Sequence, residues 1–364
     1  MLGTIIVPFT EKVFGDHNYE VLTSSRNGLQ RQSEHFAGKQ RHDTDGYNII
    51  PRGYCTYRNR SDDGLFTFNM NNIVDEGIVS KFYPVFTFQN ANSTFMMEYL
   101  NGSPRVRAKL SVLAVGTSQV VLSFETLKET SFYLPTFEEQ NRIAALLSTL
   151  NKRIEKQRLL IEHLKKYKRG FLQASFSSQD DWNTYPISSL GKVVTGSTPP
   201  TDNPENYGGD ELFCAPSDVG AEKYISSTIK RVSEKGFHTG RIVPKGTIIV
   251  TCIGLIGKLG IAMQDMITNQ QINSLIVDDA FDNEFIYYAL EFTLPRYAAQ
   301  ASMQTMPILS KSEFEKITLP IPNIKRQKEI SKPLALLDNK IFAECEILDK
   351  LITLKNGLLQ NLFI

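Results

Sequence analysis

Several kinds of site are missing from the 364-residue sequence. The four cysteines, Cys55, Cys214, Cys252 and Cys345, form no Cys-x-x-Cys pair, and the five histidines are scattered. This spacing argues against a disulfide framework or a zinc site and is typical of a protein of the reducing cytoplasm. The sequence does not open with the basic and then apolar regions of a signal peptide. Its longest apolar stretch, 247–255, is far shorter than the roughly 20 residues of a membrane span. We therefore expect a cytoplasmic protein with no membrane contact.

Catalytic signatures are missing as well. The sequence has no Gly-x-Ser-x-Gly, no His-Glu-x-x-His and no Asn-Pro-Pro-Tyr loop of an amino-methyltransferase. Segment 253–259 is similar to a phosphate-binding loop, yet it lacks the first glycine and the Ser or Thr that should follow Lys258. We therefore expect no catalytic residue, no metal site and no cofactor in this chain.

The sequence has little excess charge of either sign, with 40 Lys and Arg against 39 Asp and Glu. Residues 1–133 carry 13 basic and 13 acidic side chains, and residues 179–320 carry 11 and 17. The positive excess lies in 134–178, with nine basic against four acidic residues. Because phosphate neutralisation provides most of the affinity for DNA, DNA binding would require cations gathered on one face of each domain, or additional cations from partner subunits.

An internal repeat organises the chain. At an offset of 187 residues, 134–176 aligns with 321–363 without a gap, and 12 of 43 positions are identical. Fainter matches connect 2–3 with 190–191 and 50–53 with 243–246. A period this long predicts two duplicated domains and not a solenoid, whose repeats have about 20 to 50 residues. The second copy has a lead-in before Trp182 that the first copy lacks, so we expect a short N-terminal piece to be missing.

Each repeated segment has the pattern of a long amphipathic helix. Apolar residues recur at alternating steps of three and four, which is the a/d seam of a coiled coil, and both copies interrupt it at the same places, with Gln157 or Glu344 and with Lys168 or Lys355. A helix of about 36 residues is roughly 54 Å long, and its apolar seam must pack against another part of the protein. We expect the two to pair antiparallel; the alternative is two unrelated core helices. Pro333 predicts a start or a kink of the second helix. The predicted seam residues are Leu150, Ile154, Ile161, Leu164, Leu337, Ile341, Leu348 and Leu351.

The segments between the helices contain short β-rich runs broken by Gly, Pro and Asn. Strands are predicted at 4–9, 82–88, 112–115, 247–253 and 274–277, and helices at 92–100 and 283–292. The predicted fold is therefore mixed α/β, with globular domains at 1–133 and 179–320. The helices at 134–178 and 321–364 are expected to form an antiparallel coiled coil with a pseudo-two-fold duplication.

Two loops of the first globular segment carry side chains suited to DNA. The run Arg58-Asn59-Arg60-Ser61 supplies two guanidinium groups that fit guanine or phosphate. The run Ser24-Ser25-Arg26-Asn27 supplies hydroxyls and backbone amides suited to phosphate oxygens. Arg105, close to Arg107 and Lys109, is a weaker candidate. A solvated surface loop remains the alternative.

The second globular segment has its own candidates. Asn269-Gln270-Gln271 places three amides before a predicted strand, and such amides can bond adenine through two hydrogen bonds. The alternative is that they hold a turn. Ser197 and Thr198 are small hydroxyls suited to phosphate. The remaining candidates are Lys258 and Gln304.

The repeated segments resemble the conserved regions of specificity subunits of type I restriction-modification systems. The resemblance is carried by Leu-Pro-Thr-Phe-Glu-Glu-Gln-Asn-Arg-Ile at 134–143 and by Lys-Arg-Gly-Phe-Leu-Gln at 168–173. The second copy keeps Ile-Pro at 321–322 and Gln-Lys-Glu-Ile at 327–330, with Arg326 where the pattern prefers Glu. The second globular segment is similar to a target recognition domain of this family at 196–199, 245–246, 253–254, 257–260 and 269–271.

This resemblance implies two target recognition domains, each contacting one part of a bipartite site in double-stranded DNA, held apart by paired helices. The implied partners are a modification subunit, in two copies, that methylates adenine with S-adenosylmethionine, and a restriction subunit that uses ATP and Mg²⁺. Catalysis then belongs to the partners, and a stiff spacer fixes the half-site separation near one DNA turn, about 34 to 36 Å. The alternative function is a coiled-coil assembly protein whose globular domains bind proteins, which the near-neutral charge favours.

Overall fold

The computed structural model describes residues 1–35, 43–116, 119–177, 181–220, 222–301 and 308–363, without the side chains of 300 and 301. The chain divides into two compact units: unit 1 is Met1–Arg158 with Ile347–Ile364, and unit 2 is Leu159–Glu346. Each unit therefore combines one globular segment with parts of two long helices. The units group the residues differently from the domain boundaries drawn above, which stay a prediction. Among the described helices, none is long and apolar enough to cross a membrane.

The globular part of unit 1 consists of short strands and short helices, and the first long helix, α5, follows them. The strands are β1 (Ile6–Phe9), β2 (Glu20–Ser25), β3 (Gly28–Arg31), β4 (Asn48–Pro51), β5 (Cys55–Tyr57), β6 (Arg60–Ser61), β7 (Phe68–Met70), β8 (Glu76–Val79), β9 (Val85–Phe88) and β10 (Val120–Val121). The helices are α1 (Gln32–His35), α2 (Ser93–Gly102), α3 (Pro104–Leu113), α4 (Phe124–Glu129) and α5 (Phe137–Ser175), with a 3₁₀ turn at Leu2–Thr4.

Unit 2 repeats this order of elements and leads into the second long helix, α9. The strands are β11 (Asn183–Pro186), β12 (Gly191–Thr195), β13 (Tyr207–Cys214), β14 (Tyr224–Ile225), β15 (Lys230–Val232), β16 (Ile242–Val243), β17 (Ile248–Thr251), β18 (Leu259–Ala262), β19 (Met266–Thr268), β20 (Ile272–Val277) and β21 (Thr318–Ile321). The helices are α6 (Glu234–Thr239), α7 (Asn283–Ala301), α8 (Lys311–Lys316) and α9 (Ile324–Leu362), with 3₁₀ turns at Ile187–Ser189, Pro204–Asn206 and Pro216–Asp218.

The two globular parts share one sheet topology. Unit 1 has sheets of order β1-β9-β5-β7 and β3-β2-β8-β4, and β2 is parallel to β8. Unit 2 has the orders β12-β20-β17-β18-β14 and β15-β13-β19-β16, and β13 is parallel to β19. The orders correspond strand for strand, apart from the extra edge strand β14. The duplication therefore extends from the repeated helices into segments whose sequences differ.

The faint match between 50–53 and 243–246 is a shared tight turn. In each unit the residue that follows the match donates its backbone N–H to the proline carbonyl, at 3.1 Å and 3.2 Å. The third turn residue, Gly53 or Gly246, has a φ of +82° or +88°. Glycine adopts this left-handed conformation without the steric cost that a side chain would bring. The shared Pro-[Arg/Lys]-Gly motif is therefore a backbone requirement of the common fold.

Most of the strands and helices predicted in the globular segments are present, with ends that differ by a few residues for most of the elements. The strand predicted at 112–115 is wrong, because helix α3 continues to Leu113. Ser103 caps this helix by accepting the N–H of Val106 (3.3 Å), and Pro104 occupies its first position. Val106 and Leu110 lie one helical turn apart and are buried in the core. Packing and capping therefore outweigh the strand propensity of the β-branched residues near the end of α3.

The long helices pair antiparallel, as expected. Unit 1 contains the first part of α5 with the last part of α9, and unit 2 contains the reverse combination. Helix α9 begins at Ile324, so Pro333 lies inside it and does not start it. Of the eight seam residues, the buried ones are Leu150, Ile154 and Ile161, and the half-buried ones are Leu164, Leu337, Ile341, Leu348 and Leu351.

Each long helix is fixed to a globular segment by the same amide. In unit 1 the buried Gln140 donates to the carbonyl of Pro135 (2.9 Å) and accepts the backbone N–H of Asn92 (3.0 Å). Gln327 repeats both bonds in unit 2, at 2.9 Å and 2.8 Å. Asn92 directly precedes α2, and the corresponding residue of unit 2, Asp282, directly precedes α7. The repeated Pro-x₄-Gln motif therefore joins the start of each long helix to a helix of the preceding globular segment.

The phenylalanine that ends each repeat completes the core of a globular segment. Phe176 follows α5 and stacks on Phe285 and Phe292 of unit 2, with ring centres 5.4 Å and 4.9 Å apart. Phe363 follows α9 and meets Phe95 of unit 1 edge to face at 5.6 Å. Aromatic pairs at such distances add about 0.5 to 1.5 kcal/mol to their burial. Each globular core is therefore closed by the end of a long helix.

Candidate nucleic-acid interface

A groove of about 370 Å³ on unit 1 brings the two predicted DNA-binding loops together. We call it the arginine groove. The predicted residues that line it are Ser24, Ser25, Arg26, Arg58, Arg60 and Ser61. His35 and Asp62 also line it. The groove therefore gathers three of the cations of a segment whose overall charge is balanced.

One wall of the arginine groove is the tip of the β2–β3 hairpin. Ser25 pairs with Gly28, so Arg26 and Asn27 form a two-residue loop and are exposed there. The Ser25 hydroxyl donates to the carbonyl of Gly28 (2.9 Å) and accepts the N–H of Asn27 (3.1 Å). Its hydrogen bonds therefore hold the turn.

Next to its tip, this hairpin is anchored by Asn69 of strand β7. The Asn69 amide donates to the Ser24 hydroxyl (2.8 Å) and to the Ser25 carbonyl (2.9 Å). Ser24 is buried, so its hydroxyl belongs to the framework of the groove. The sequence singled out both serines but not Asn69.

Arg58 and Arg60 also line the groove, and both are exposed. Neither has a carboxylate within ion-pair distance among the residues that the structure describes. The Arg60 guanidinium lies 5.6 Å from the centre of the exposed Phe82 ring. Free guanidinium groups beside an aromatic ring suit phosphate and base contacts.

Arg26, by contrast, is held by a carboxylate. A terminal nitrogen of its guanidinium lies 2.7 Å from Asp63 Oδ1. Asp63 also accepts the hydroxyl proton of Ser61 (2.8 Å) and the backbone N–H of Leu65 (3.1 Å). These donors, led by the Ser61 hydroxyl, hold the pKa of Asp63 below its ordinary value, so the carboxylate is charged at neutral pH. Ser61 is buried, which makes it a support for Asp63.

Three predicted residues of unit 1, Asn27, Asn59 and Arg105, do not line this groove. Asn59 is half-buried, and its backbone carbonyl accepts the N–H of Leu122 (3.0 Å). Arg105 lies exposed in the first turn of α3. On the other side of the hairpin tip, Arg26 and Asn27 line a second groove of about 860 Å³ together with Arg107. The tip therefore lies between two grooves.

In unit 2 the loop after β12 is packed against the loop between β19 and β20. The backbone N–H of Ser197 donates to the carbonyl of Thr268 (2.8 Å), and the Thr198 hydroxyl donates to the side chain of Gln270. A Cβ atom at Gly196 would lie 2.0 Å from the carbonyl oxygen of Asn269. Only glycine permits this approach, and it brings the two predicted loops of unit 2 together.

The three amides between β19 and β20 differ in their freedom. Asn269 accepts the backbone N–H of Gln271 through Oδ1 (3.1 Å) and donates to the Gln271 side chain through Nδ2 (3.2 Å). Both of its polar atoms therefore hold the turn, which is the structural alternative that the sequence left open. Gln270 is exposed, and its Nε2 group has no bond within the described residues.

Lys258 lies in the loop after β17, which corresponds in topology to the loop of Arg58 and Arg60 after β5. Its backbone N–H donates to the Thr251 hydroxyl (3.0 Å), and its side chain is half-buried along Gly220. The two predicted loops are therefore equivalent in the two units. Gln304 lies outside the described residues.

Comparison with known proteins connects these observations to one family. The model of the family described as "Type I restriction modification DNA specificity domain" matches residues 13–163 and 179–353, one match for each copy of the duplication. The MjaIX specificity subunit of Methanocaldococcus jannaschii is 34% identical over 180 residues, which cover 47% of this chain and 42% of the relative. The HindI specificity subunit of Haemophilus influenzae is 33% identical over 147 residues, covering 39% and 32%. The chain thus spans less than half the length of these two relatives.

Solved structures share the fold. The S subunit of a type I restriction-modification system from M. genitalium aligns with a TM-score of 0.69 at 16% identity, covering 100% of this chain and 95% of that chain. A chain from a structure on complex assembly and conformational transition of the type I R-M system aligns with a TM-score of 0.57 at 16% identity, covering 98% and 95%. Because the family model matches both halves of the sequence, the chain belongs to the family of type I restriction-modification DNA specificity domains.

Proposed function

We propose that this chain is the DNA-reading subunit of a type I restriction-modification complex, in which each unit contacts one half of a bipartite site in double-stranded DNA. The observation that carries the proposal is the arginine groove of unit 1, where Arg58 and Arg60 face solvent without an ion-pair partner among the described residues. Family membership supports the same activity. It does not favour the alternative of a coiled-coil protein whose globular parts bind proteins.

The balanced charge of unit 1 is compatible with DNA binding because its arginines are not equivalent. Arg31 is paired with Glu20, and Arg52 is paired with Asp75 at 2.9 Å. Such paired cations contribute little to the attraction of phosphate, whereas the unpaired cations of the groove contribute fully. Segment 179–320 carries an acidic excess, so we propose that binding of the second half-site depends more strongly on cations of the partner subunits.

The partner subunits are proposed to carry the chemistry. This chain would supply specificity and architecture without catalysis, and two copies of a modification subunit would bind S-adenosylmethionine and methylate adenine. A restriction subunit would use ATP and Mg²⁺. Both long helices retain exposed apolar side chains, such as Leu146, Tyr167 and Leu336, outside their paired seam. Exposed apolar side chains on a helix support docking of partner subunits there.

The proposal is tested by selecting DNA from a random library with the chain in complex with its modification subunit. We expect a split motif and binding that weakens steeply with salt. Replacing Arg58 or Arg60 by Ala should reduce the slope of log K against log salt by about 0.9 for each phosphate that the variant no longer neutralises. Arg52→Ala is the matched control, because Arg52 is paired with Asp75 outside the groove. Binding without a split motif, or groove variants that behave like Arg52→Ala, would refute the proposal.

A further inference from the structure

Arg26 differs from the other groove arginines in both its position and its partner. It stands at the tip of a two-residue hairpin, with 64% of its side chain exposed, and lines the grooves on both sides of that tip. A two-stranded β-ribbon fits the major groove of B-DNA, which is about 12 Å wide. The exposed tip of this ribbon is therefore suited to reach base edges.

The guanidinium of Arg26 is oriented by Asp63, which is itself held by Ser61 of strand β6. Asp63 holds one terminal nitrogen at 2.7 Å and is itself held by the Ser61 hydroxyl at 2.8 Å. Ser61 is buried and pairs with Val120 between β6 and β10. The ion pair uses one N–H of Nη2, so the second N–H of Nη2, both of Nη1 and that of Nε stay free to donate. The sheet therefore fixes the direction in which the planar fork points.

The ion pair decides what such an arginine can bind. Because Asp63 offsets the charge of Arg26, the pair attracts phosphate only weakly. An oriented fork, however, matches the two acceptors N7 and O6 of guanine and loses less side-chain entropy when it binds them. We propose that Arg26 reads a guanine in the half-site of unit 1 and that Asp63 is the positioning residue that aims it. This assignment rests on the proposed function.

The test compares Arg26 and Asp63 variants in the complex with the modification subunit. Binding is measured on the selected motif and on all of its single-base variants, at several salt concentrations. Arg26→Ala should lose about 5- to 150-fold of the discrimination at one guanine, the equivalent of about 1 to 3 kcal/mol, with an unchanged salt slope. Arg26→Lys should not restore it, because an ammonium group lacks the planar fork.

Asp63→Asn should relax the same position, and its effect should not add to that of Arg26→Ala. Asp62→Asn is the matched control, since Asp62 lines the same groove and is bonded to Gln119 instead (3.0 Å). A half-site without guanine, equal loss at every position, or additive effects would overturn the assignment while leaving the proposed function intact. Failure of the unmodified chain to select any motif would overturn the proposed function and this inference together.

Discussion

The two units hold the long helices through equivalent joints that differ in charge. In unit 1, Glu98 of α2 accepts a hydrogen bond from Asn151 of α5 (2.7 Å) and pairs with Lys355 of α9 (3.3 Å). These two helix residues align with Asp338 and Lys168 at the offset of 187 residues that relates the repeats. The joint is therefore part of the duplication, with one amide replaced by a carboxylate.

In unit 2 the same joint is a buried ionic cluster. Lys168 pairs with Glu291 of α7 (3.0 Å) and with Asp338 (2.7 Å). A second cation, Lys223, has only 6% of its side chain exposed and donates to the Tyr288 hydroxyl (2.7 Å). Tyr288 in turn donates to Asp338 (2.6 Å). The comparison teaches that the carboxylate added at the repeated joint lies within a larger ionic cluster, because Lys223 pairs with Glu284 as well and lies 3.7 Å from Asp338.

The largest expected effect comes from removing the carboxylate that distinguishes the joints. Asp338→Ala leaves Lys168 with Glu291 alone and Lys223 with Glu284 alone, and it removes the acceptor of the Tyr288 hydroxyl, so the free energy of unfolding should fall by about 3 kcal/mol. Asn151→Ala, at the aligned position, removes one hydrogen bond and should cost about 1 kcal/mol. Urea unfolding measures both values. Equal losses would show that the two joints do not differ in the way described.

The second prediction concerns the contact in which the units are alike. Gln140→Ala and Gln327→Ala each remove two hydrogen bonds and leave a backbone N–H and a carbonyl without a partner. Each variant should therefore lose about 2 kcal/mol of unfolding free energy. Gln360→Ala, on the exposed face of α9, is the control and should lose almost nothing. A large difference between the two buried glutamines would break the equivalence of the repeats.

The joint of unit 2 should also make stability depend on alkaline pH, through Tyr288. Burial, reinforced by Asp338, raises the pKa of Tyr288 well above its ordinary value. The folded chain therefore keeps a proton that the unfolded chain releases near pH 10, so stability declines as the pH rises above about 10. Tyr288→Phe should flatten this decline, and Tyr167→Phe, at an exposed site on α5, should not. Identical alkaline profiles for both variants would contradict the role given to Tyr288.

The smallest expected effect is a change in the local unfolding of one unit, which is measured by the rate at which its buried cysteine is labelled. Burial raises the thiol pKa of Cys55 in unit 1 to about 12 and that of Cys252 in unit 2 to about 11, so both react slowly in the folded chain. If Asn151→Ala weakens unit 1 by about 1 kcal/mol, labelling of Cys55 should accelerate about fivefold while Cys252 keeps its rate. Cys345→Ser removes the half-buried thiol on α9 from the background. Equal acceleration at both thiols would mean that the units open together.

Periodicity was sufficient to predict the architecture but not the joints. The repeat and the steps of three and four predicted two long helices, and they marked Lys168 and Lys355 as interruptions of the seam. The partners of these lysines, Glu291 and Glu98, come from globular segments far away in the sequence. No local pattern signals such a pair, because it exists only once the sheets and helices have packed.

The candidate interface was predictable by residue type and not by orientation. Composition selected Arg58 and Arg60, and the folded chain leaves both exposed in one groove. Composition also selected Ser24 for phosphate, yet its hydroxyl faces inward to Asn69. The roles of Asn69 and Asp63 depend on long-range contacts, and the only hint in the sequence is that Asp63 lies two residues after the predicted run 58–61.

The claim that each unit reads one half of a split site is tested most directly by domain exchange. Residues 1–133 would be replaced by the corresponding segment of a family member with a different target. The chimera would be expressed with its modification subunit, and the methylated motif of the host DNA would be sequenced. The account predicts that one half of the motif changes and that the other half and the spacing stay. A change in both halves, or in neither, would contradict it.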